Sequence, residues 1–295
     1  MLQCIMLLVA IVCCAHCVNV LAGEKKITMV YEEDAQVAKK YYELLDAKQT
    51  GYDVKLIPLK SVDQNNSRLF ITIGSNAFSG LLKKQINVPI VAVFISRLSY
   101  RKAIKGVRNL ANVSAIFSDP NPHNQIKLAN LLYKKSIEMA VLLSNETAFL
   151  RSEIKRSAKQ FKTKVQFVSV DDSKNIYKTL SKVNSFDVLL AIPDSKIYNT
   201  QSMRTILLTT YRHDQSLIGF SKGMVKAGAL ATTTVDISDL ADETNRLVQR
   251  YLKTDKLPKP DYSKRFNVYV NEYVAESLNI FGDMRKIKKE LVQYE

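Results

Sequence analysis

The chain is poor in the residues that do redox, metal and nucleophilic chemistry. Its 295 residues hold no Trp, three His, four Cys, nine Gly and seven Pro. So few Gly and Pro exclude collagen-like and low-complexity chains. The cysteines are Cys4, Cys13, Cys14 and Cys17; from Gly23 onward there is none, and only His123 and His213 remain of the histidines. Beyond residue 22, structural disulfides, thiolate metal sites and Cys nucleophiles are therefore excluded. Phosphate and hydrolase signatures are missing too. The stretch from Gly74 to Gly80 is followed by Leu81, not Lys, so it is no Walker A loop. No G-x-G-x-x-G follows the first strand, and G-x-S-x-G and H-E-x-x-H are absent. Carboxylate pairs such as Glu32-Glu33 and Asp171-Asp172 are sequence neighbours that read as solvated surface. These lacks point away from an enzyme, a cofactor and a metal site.

Charge is missing in one place and abundant elsewhere. Met1 to Ala22 carries no charged side chain, with an apolar run from Leu7 to Cys14 and the ending Val20-Leu21-Ala22. This reads as a signal peptide over residues 1–22, cleaved after Ala22, although its n-region lacks Lys and Arg. The alternative is a leader retained as a membrane anchor; Cys14-Ala15-His16-Cys17 makes a poor lipobox. An exported chain without Cys suits a bacterial envelope, hence a periplasmic location, and makes the sequons at Asn65, Asn112 and Asn145 chance matches. The whole chain has 43 Lys+Arg against 28 Asp+Glu, a formal charge of +15. The cations are spread over nearly every helical segment (Lys39-Lys40, Lys83-Lys84, Lys134-Lys135, Lys155-Arg156, Lys286 to Lys289) with no interleaved aromatic stripe. This argues against nucleic acid and for a basic surface near anionic lipid.

The rest of the chain is a rhythm of short apolar runs and helical segments. Strands are expected at Ile27–Tyr31, Val54–Pro58, Leu69–Ile73, Pro89–Ile95 and Ser114–Phe117, with helices over Asp34–Ala47, from Ser75 through Lys84, and over Pro122–Tyr133. The rhythm then restarts: strands Met139–Leu143, Val165–Val170, Val188–Ile192, Ser216–Phe220 and Ala229–Thr233, and helices Ala148–Phe161, Ser173–Val183, Thr200–His213 and Asp239–Leu252. Lys253–Phe266 reads as a charged, Pro-containing connection, Val268–Val270 as a last strand, and a terminal helix starts at Glu272. Near-continuous apolar strands, each followed by a helix, argue for parallel sheets covered on both faces. The fold class is α/β, with two doubly wound parallel-sheet lobes. Lobe 1 takes 23–118 plus about 237–262, and lobe 2 takes 119–236 plus about 263–295.

Open α/β sheets bind ligands at the carboxyl ends of their strands, so the candidates are the polar and aromatic residues there. Ser75 and Asn76 open a helix whose N-terminus suits a carboxylate or phosphate, or they merely cap it. Asn145 follows the strand ending at Leu143 and reads equally as a turn residue. Asp194 follows Ile192, where a carboxylate can take a ligand amine or hydroxyl, or serve as a cap. Phe220 can wall a pocket or simply sit in the core, and Ser221 can donate to a ligand. Ser118 and Asp119 read as the connection between lobes, or Asp119 merely caps the helix beginning near Pro122.

The stretch Thr209-Thr210-Tyr211-Arg212, Leu217-Ile218-Gly219-Phe220-Ser221 and Val225-Lys226-Ala227-Gly228-Ala229-Leu230-Ala231 resembles ABC-transporter substrate-binding proteins of the family with tryptophan- and phenylalanine-binding members. Leu69 through Ala77, Val113 through Pro120 with Gln125 to Leu128, and Val270-Asn271-Glu272 with Ala275 to Leu278 are similar to it as well. The resemblance covers most of the chain. It implies a type I periplasmic binding protein: two lobes, three crossovers, and a cleft that closes about a hinge at Ser118 and Asp119. Ser75, Asn76, Asp194 and Ser221 would face that cleft, with Asn145 and Phe220 flanking it. One departure stands out. Where the family shows Thr-Asp-Pro or a close variant after the fourth strand, this chain has Ser96-Arg97-Leu98-Ser99-Tyr100, and Arg97 either favours an anionic ligand or points to solvent. The chain is also short between the second and third strands, over residues 58–68.

The function expected is that of a solute-binding protein of an ABC-type uptake system, a monomer that takes a small polar or anionic, amino-acid-like solute and hands it to an ABC permease. Alternatives are a ligand sensor of the same fold acting on a membrane sensor or receptor, an exported α/β enzyme, and a membrane-anchored interaction protein.

Overall fold

The computed structural model describes residues 26–292 apart from 49–50, 64–66, 171–175, 281 and 283. The leader reading, the sequon at Asn65, the pair Asp171-Asp172 and the start of the Ser173–Val183 helix lie outside the described residues.

Two six-stranded sheets form, in the same relative order. The first contains β1 (Lys26–Tyr31), β2 (Asp53–Pro58), β3 (Leu69–Ile73), β4 (Ile90–Ile95), β5 (Val113–Phe117) and β11 (Asp261–Tyr262), in the order β2-β1-β3-β4-β5-β11, all parallel. The second contains β6 (Glu138–Leu143), β7 (Lys164–Ser169), β8 (Val188–Leu190), β9 (Ser216–Ile218), β10 (Ala231–Thr234) and β12 (Asn267–Val270), in the order β7-β6-β8-β9-β10-β12. Here β12 runs antiparallel to β10, a departure from the all-parallel expectation. Strand direction leaves no trace in an apolar run, and β12 sits at an edge where an antiparallel partner is readily added.

Strand composition follows position in the sheet. The central β3 and β5 are buried at every residue, because helices cover both faces. The edge strands β2 and β7 alternate between exposed and partly buried over their first four residues, and neither has a fully buried one.

On one face of the first sheet, α1 (Ala35–Asp46) buries Ala38, Tyr41 and Leu45 beside Leu240, Ala241, Leu247, Val248 and Tyr251 of α9 (Ile237–Thr254). The α9 spacing is a helical stripe, and the Tyr41 hydroxyl donates to Thr244 Oγ1 at 2.6 Å across the two helices. On the other face lie Phe78 and Leu81 of α2 (Ser75–Lys83) and Tyr100 of α3 (Arg97–Ala103). The second sheet is covered on one face by α4 (Pro122–Tyr133), α5 (Arg151–Gln160), α10 (Glu272–Ser277) and α11 (Met284–Val292), and on the other by α6 (Ile176–Leu180), α7 (Met203–Arg212) and α8 (Lys222–Ala227).

Sequence periodicity does not announce α3, α8 or β11. In α3 only Tyr100 is buried, so no stripe repeats. In α8 Gly223 interrupts a short run, and β11 is a two-residue strand within the charged connection. The terminal helix is two helices, broken between Ser277 and Met284.

The chain passes between the sheets three times: from β5 to α4, from β10 to α9, and from β11 to β12. This gives a two-lobed α/β fold whose lobes are joined by three connecting segments.

Candidate functional site

On the first sheet, the turn after β1 presents exposed Glu33 and the capping residue Asp34, whose side chain accepts from Val37 N–H. Gly74 after β3 takes φ of +87°, in the region that favours glycine, and turns the chain directly into α2. Ser75 is then half-buried at the head of that helix, and exposed Asn76 donates to Glu33 Oε1. Ser75 also lines an open groove of about 610 Å³ between α2 and α3, with Ser79, Ser99, Lys83 and Lys102.

The end of β4 is irregular. Its register with β5 shifts between Ala92 and Ile95, and Phe94 adopts φ of +53°. A bulky residue there is strained, and such a bulge re-aims the side chains beyond it. The next residues are Ser96, whose Oγ caps α3 by accepting from Ser99 N–H at 2.9 Å, and then Arg97. The Arg97 backbone N–H donates to Asp119 Oδ2 at 2.8 Å, and Ser118 donates to Ile95 O through its backbone N–H at 3.1 Å. Thus Ser96, Arg97, Ser118 and Asp119 come together where the first crossover leaves the sheet. Desolvation pushes the Asp119 carboxyl up to about 6, with the Arg97 N–H and the Arg97 charge pulling the other way.

The Arg97 guanidinium reaches the other lobe. It pairs with Glu153 of α5, donates to Tyr262 Oη at 3.1 Å, and lies 5.6 Å from the Phe149 ring centroid. Arg101 lies 4.8 Å from the same ring. One turn further along α3, Lys102 pairs with Glu146 at 2.5 Å, and Lys196 reaches Glu146 at 3.2 Å. The two ammonium groups hold the half-buried Glu146 carboxyl below its usual range. The loops after β4 and β6 are therefore in contact across the gap between the sheets.

On the second sheet, Asn145, Asp194 and Phe220 gather around one loop, and Ser221 comes next in the chain. Asp194 is buried, 2% exposed. Its Oδ2 accepts from Thr147 Oγ1 at 2.6 Å and from Ser144 N–H at 3.3 Å, and its Oδ1 accepts from Lys196 N–H at 3.0 Å. The exposed Asn145 accepts from Lys196 Nζ at 3.2 Å. Phe220 meets Tyr198 edge to face at 5.7 Å. Tyr198 is buried with no partner for its hydroxyl among the described residues, and desolvation together with the Asp194 charge raises its pKa. Ser221 Oγ caps α8 by accepting from Met224 N–H at 3.2 Å.

The structure thus forms two groups within lobe 2 and the first crossover, with Ser75 and Asn76 as a third, separate group on lobe 1. Sequence reasoning missed Glu33, Phe149, Glu153, Tyr198 and Tyr262. Of these, only Tyr198 carried a local signal, lying four residues beyond Asp194. Gln125 reads from sequence only as part of a helix, yet its buried amide accepts from Thr233 N–H at 2.8 Å and donates to Gly219 O, tying α4 to the ends of β9 and β10. Among the described residues, no group of three His, Cys, Asp or Glu could hold a metal ion.

Known proteins share this architecture. A family model described as ABC transporter substrate binding protein matches residues 56–285. No curated protein sequence matches the chain. Among solved structures, the chain is similar to an ABC domain in complex with L-Trp from Streptococcus pneumonia, at 17% identity and a TM-score of 0.57, over 90% of this chain and 98% of that one. It is similar to a substrate-binding protein with adhesive properties from Clostridium difficile, in its ligand-free, open form, at 16% identity and a TM-score of 0.67, over 89% and 97%. A conserved domain protein from Vibrio cholerae gives 15% identity and a TM-score of 0.58, over 89% and 97%. At such identities the likeness establishes the shared architecture, that of type I periplasmic binding proteins.

Proposed function

We propose that this chain, which belongs to the family of ABC transporter substrate-binding proteins, captures a small polar, amino-acid-like solute in the cleft between its lobes and delivers it to an ABC permease from the periplasm. The observation that carries the reading is the meeting of strand ends. Lys102, after β4, pairs with Glu146, after β6, so the carboxyl edges of two parallel sheets border one cleft, which is where open α/β sheets bind ligands.

The chemistry around that cleft suits a zwitterion. Ser75 and the free N–H groups of α2 favour a carboxylate, Glu33 with Asn76 favours an ammonium group, and Phe220 with Tyr198 offers an aromatic wall. Arg97 already faces Glu153 and Tyr262, which leaves it a bridging part between lobes rather than a cation for the solute. No catalytic step is part of the reading. Closure would come from a solute that touches both lobes and so favours the closed state.

Native mass spectrometry of protein purified from its own periplasm identifies the retained solute, and N-terminal sequencing starting at Gly23 tests cleavage after Ala22. A solute present at 100 times its Kd should add about 2.7 kcal/mol of stability and contract the scattering radius. If no compound in a broad amino-acid and metabolite library moves either the melting temperature or the radius, the reading is wrong.

A further inference from the structure

Lobe 2 carries a surface that the solute site does not use. The helices α6 and α7 pack against each other over one face of the second sheet, and their inner residues Ile176, Leu180 and Ile206 belong to its core. The outer side of a helix seated on a sheet is ordinarily polar. Here it is not. Among the described residues six large hydrophobic side chains are exposed, and three of them are on this pair: Tyr177 at 67%, Leu208 at 46% and Tyr211 at 54%. Cations are set among them. On α7, Arg204, Leu208, Tyr211 and Arg212 are all exposed at spacings of one and two turns, and on α6 Lys178 is exposed beside Tyr177. Among the described residues, none of Lys178, Arg204 and Arg212 forms an ion pair. Residues 176–182 and 201–213 contain no Asp or Glu at all.

We infer that this face of lobe 2 rests on an anionic lipid bilayer surface. Tyrosine rings, apolar in body and polar at the tip, are suited to the depth of lipid headgroups. One exposed Leu between them allows shallow contact without insertion. The Arg and Lys side chains beside them are attracted to acidic headgroups, an attraction that acts within a Debye length of the surface and weakens with salt. The charge of the whole chain, +15, has the same sign, but a diffuse charge would not select one face, and it would not place tyrosines there.

The experiment is co-sedimentation of the purified chain with vesicles of phosphatidylcholine alone and of phosphatidylcholine containing phosphatidylglycerol. The neutral vesicles also measure any contribution of an apolar leader. Stronger binding to the anionic vesicles, lost at high salt, is expected. Arg204→Glu with Arg212→Glu should weaken it about tenfold, and so should Leu208→Ser with Tyr211→Ser. Lys39→Glu with Lys40→Glu on α1, an exposed pair on the other lobe, should leave it within twofold. All these side chains are exposed, so circular dichroism and the melting temperature should not change. An equal loss with the α1 pair would mean that only overall charge is sensed, and would overturn the proposal. So would a lack of preference for anionic vesicles. A concentration-dependent dimer abolished by Leu208→Ser with Tyr211→Ser, without vesicle binding, would assign the face to a second copy instead. None of these outcomes depends on whether a solute is bound.

Discussion

Asp194 stands at the end of β8, where a carboxylate is well placed to take a ligand amine, yet both of its oxygens face donors of their own lobe. It ties the loop after β6 to the loop after β8. Replacing it with Ala would take the acceptor from the buried Thr147 hydroxyl and from Lys196 N–H, and leave Ser144 N–H only Thr147 Oγ1 at 3.1 Å, so Asp194→Ala should lower stability by about 1–3 kcal/mol, read from the urea midpoint. A larger loss of solute affinity than of stability would instead mark Asp194 as a ligand contact. Asp119 makes the opposite case, a carboxyl raised to about 6 by desolvation despite some solvent contact. Because its folded pKa lies above the unfolded value, its contribution is complete below about 3.8 and is lost as pH rises through about 6. At neutral pH the ionised group is a burden on the first crossover. Asp119→Asn, which can still accept from Arg97 N–H, should therefore stabilise the protein above pH 6, by about 1–2 kcal/mol after discounting for solvent, and should have little effect near pH 4. Melting temperatures of the two proteins across that range give the answer; a difference that does not vary with pH would rule the account out. The position of these residues at strand ends was legible from sequence, since apolar runs end where they end. The local partner, Lys196 N–H two residues on, fits the cap that sequence also allowed, but Thr147 was not legible, because it reaches Asp194 only after the second sheet has formed.

At the scale of elements, α3 holds most of what sequence could not show. Its residues carry no apolar period, and its placement depends on the bulge at Phe94, where an aromatic side chain packs edge-on at 4.9 Å from Tyr41 and accepts a strained backbone. The departure from the family pattern at Ser96-Arg97 was visible as residues, while its consequence, a helix end whose guanidinium crosses to α5, depends on a partner 56 residues away in the chain. Arg97 and Glu153 are about three-tenths exposed as side chains, so their attraction is partly screened and should couple by about 1 kcal/mol in a double-mutant cycle. Because the pair joins the lobes, its removal should be seen in shape as well as stability. Glu153→Gln is expected to widen the solute-free protein in small-angle scattering and to make the width less sensitive to salt than in the unaltered chain. Unchanged scattering would mean that the pair decorates an interface held by other contacts, among them Lys102 with Glu146. The strands were easier: β3, β4 and β5 are nearly pure apolar runs because both faces are covered, and that composition is itself the consequence of being central.

For the whole molecule, the decisive feature is that neither lobe is one continuous piece of chain. Helix α9 lies between β10 and β12 of the second sheet in sequence, but its buried face belongs to the first sheet's core. Four large side chains on that face, Leu240, Leu247, Val248 and Tyr251, are each at most 9% exposed. Burying such groups contributes about 1.5–3 kcal/mol apiece, an upper estimate because unfolded chains already bury some area. The sum is comparable to the whole net stability of an ordinary domain, about 5–15 kcal/mol. A fragment of residues 26–118 should then have no margin left: its sheet would expose the face that α9 covers. The same fragment joined through a flexible Gly/Ser linker to 237–262 should recover it, because α9 brings its apolar stripe and Thr244, and β11 completes the sheet edge beside β5. The expected outcome is a cooperative thermal transition and a monomeric elution volume for the joined fragment, and aggregation or a featureless melt for the short one. Should the short fragment fold as well as the joined one, α9 would be dispensable to lobe 1, and the boundaries 23–118 plus about 237–262 would have to be redrawn. Cooperative melting of the joined fragment would also explain how the hinge can stay thin. With each core complete on its own side, the three crossovers need only join lobes that also meet through Arg97 with Glu153 and Lys102 with Glu146.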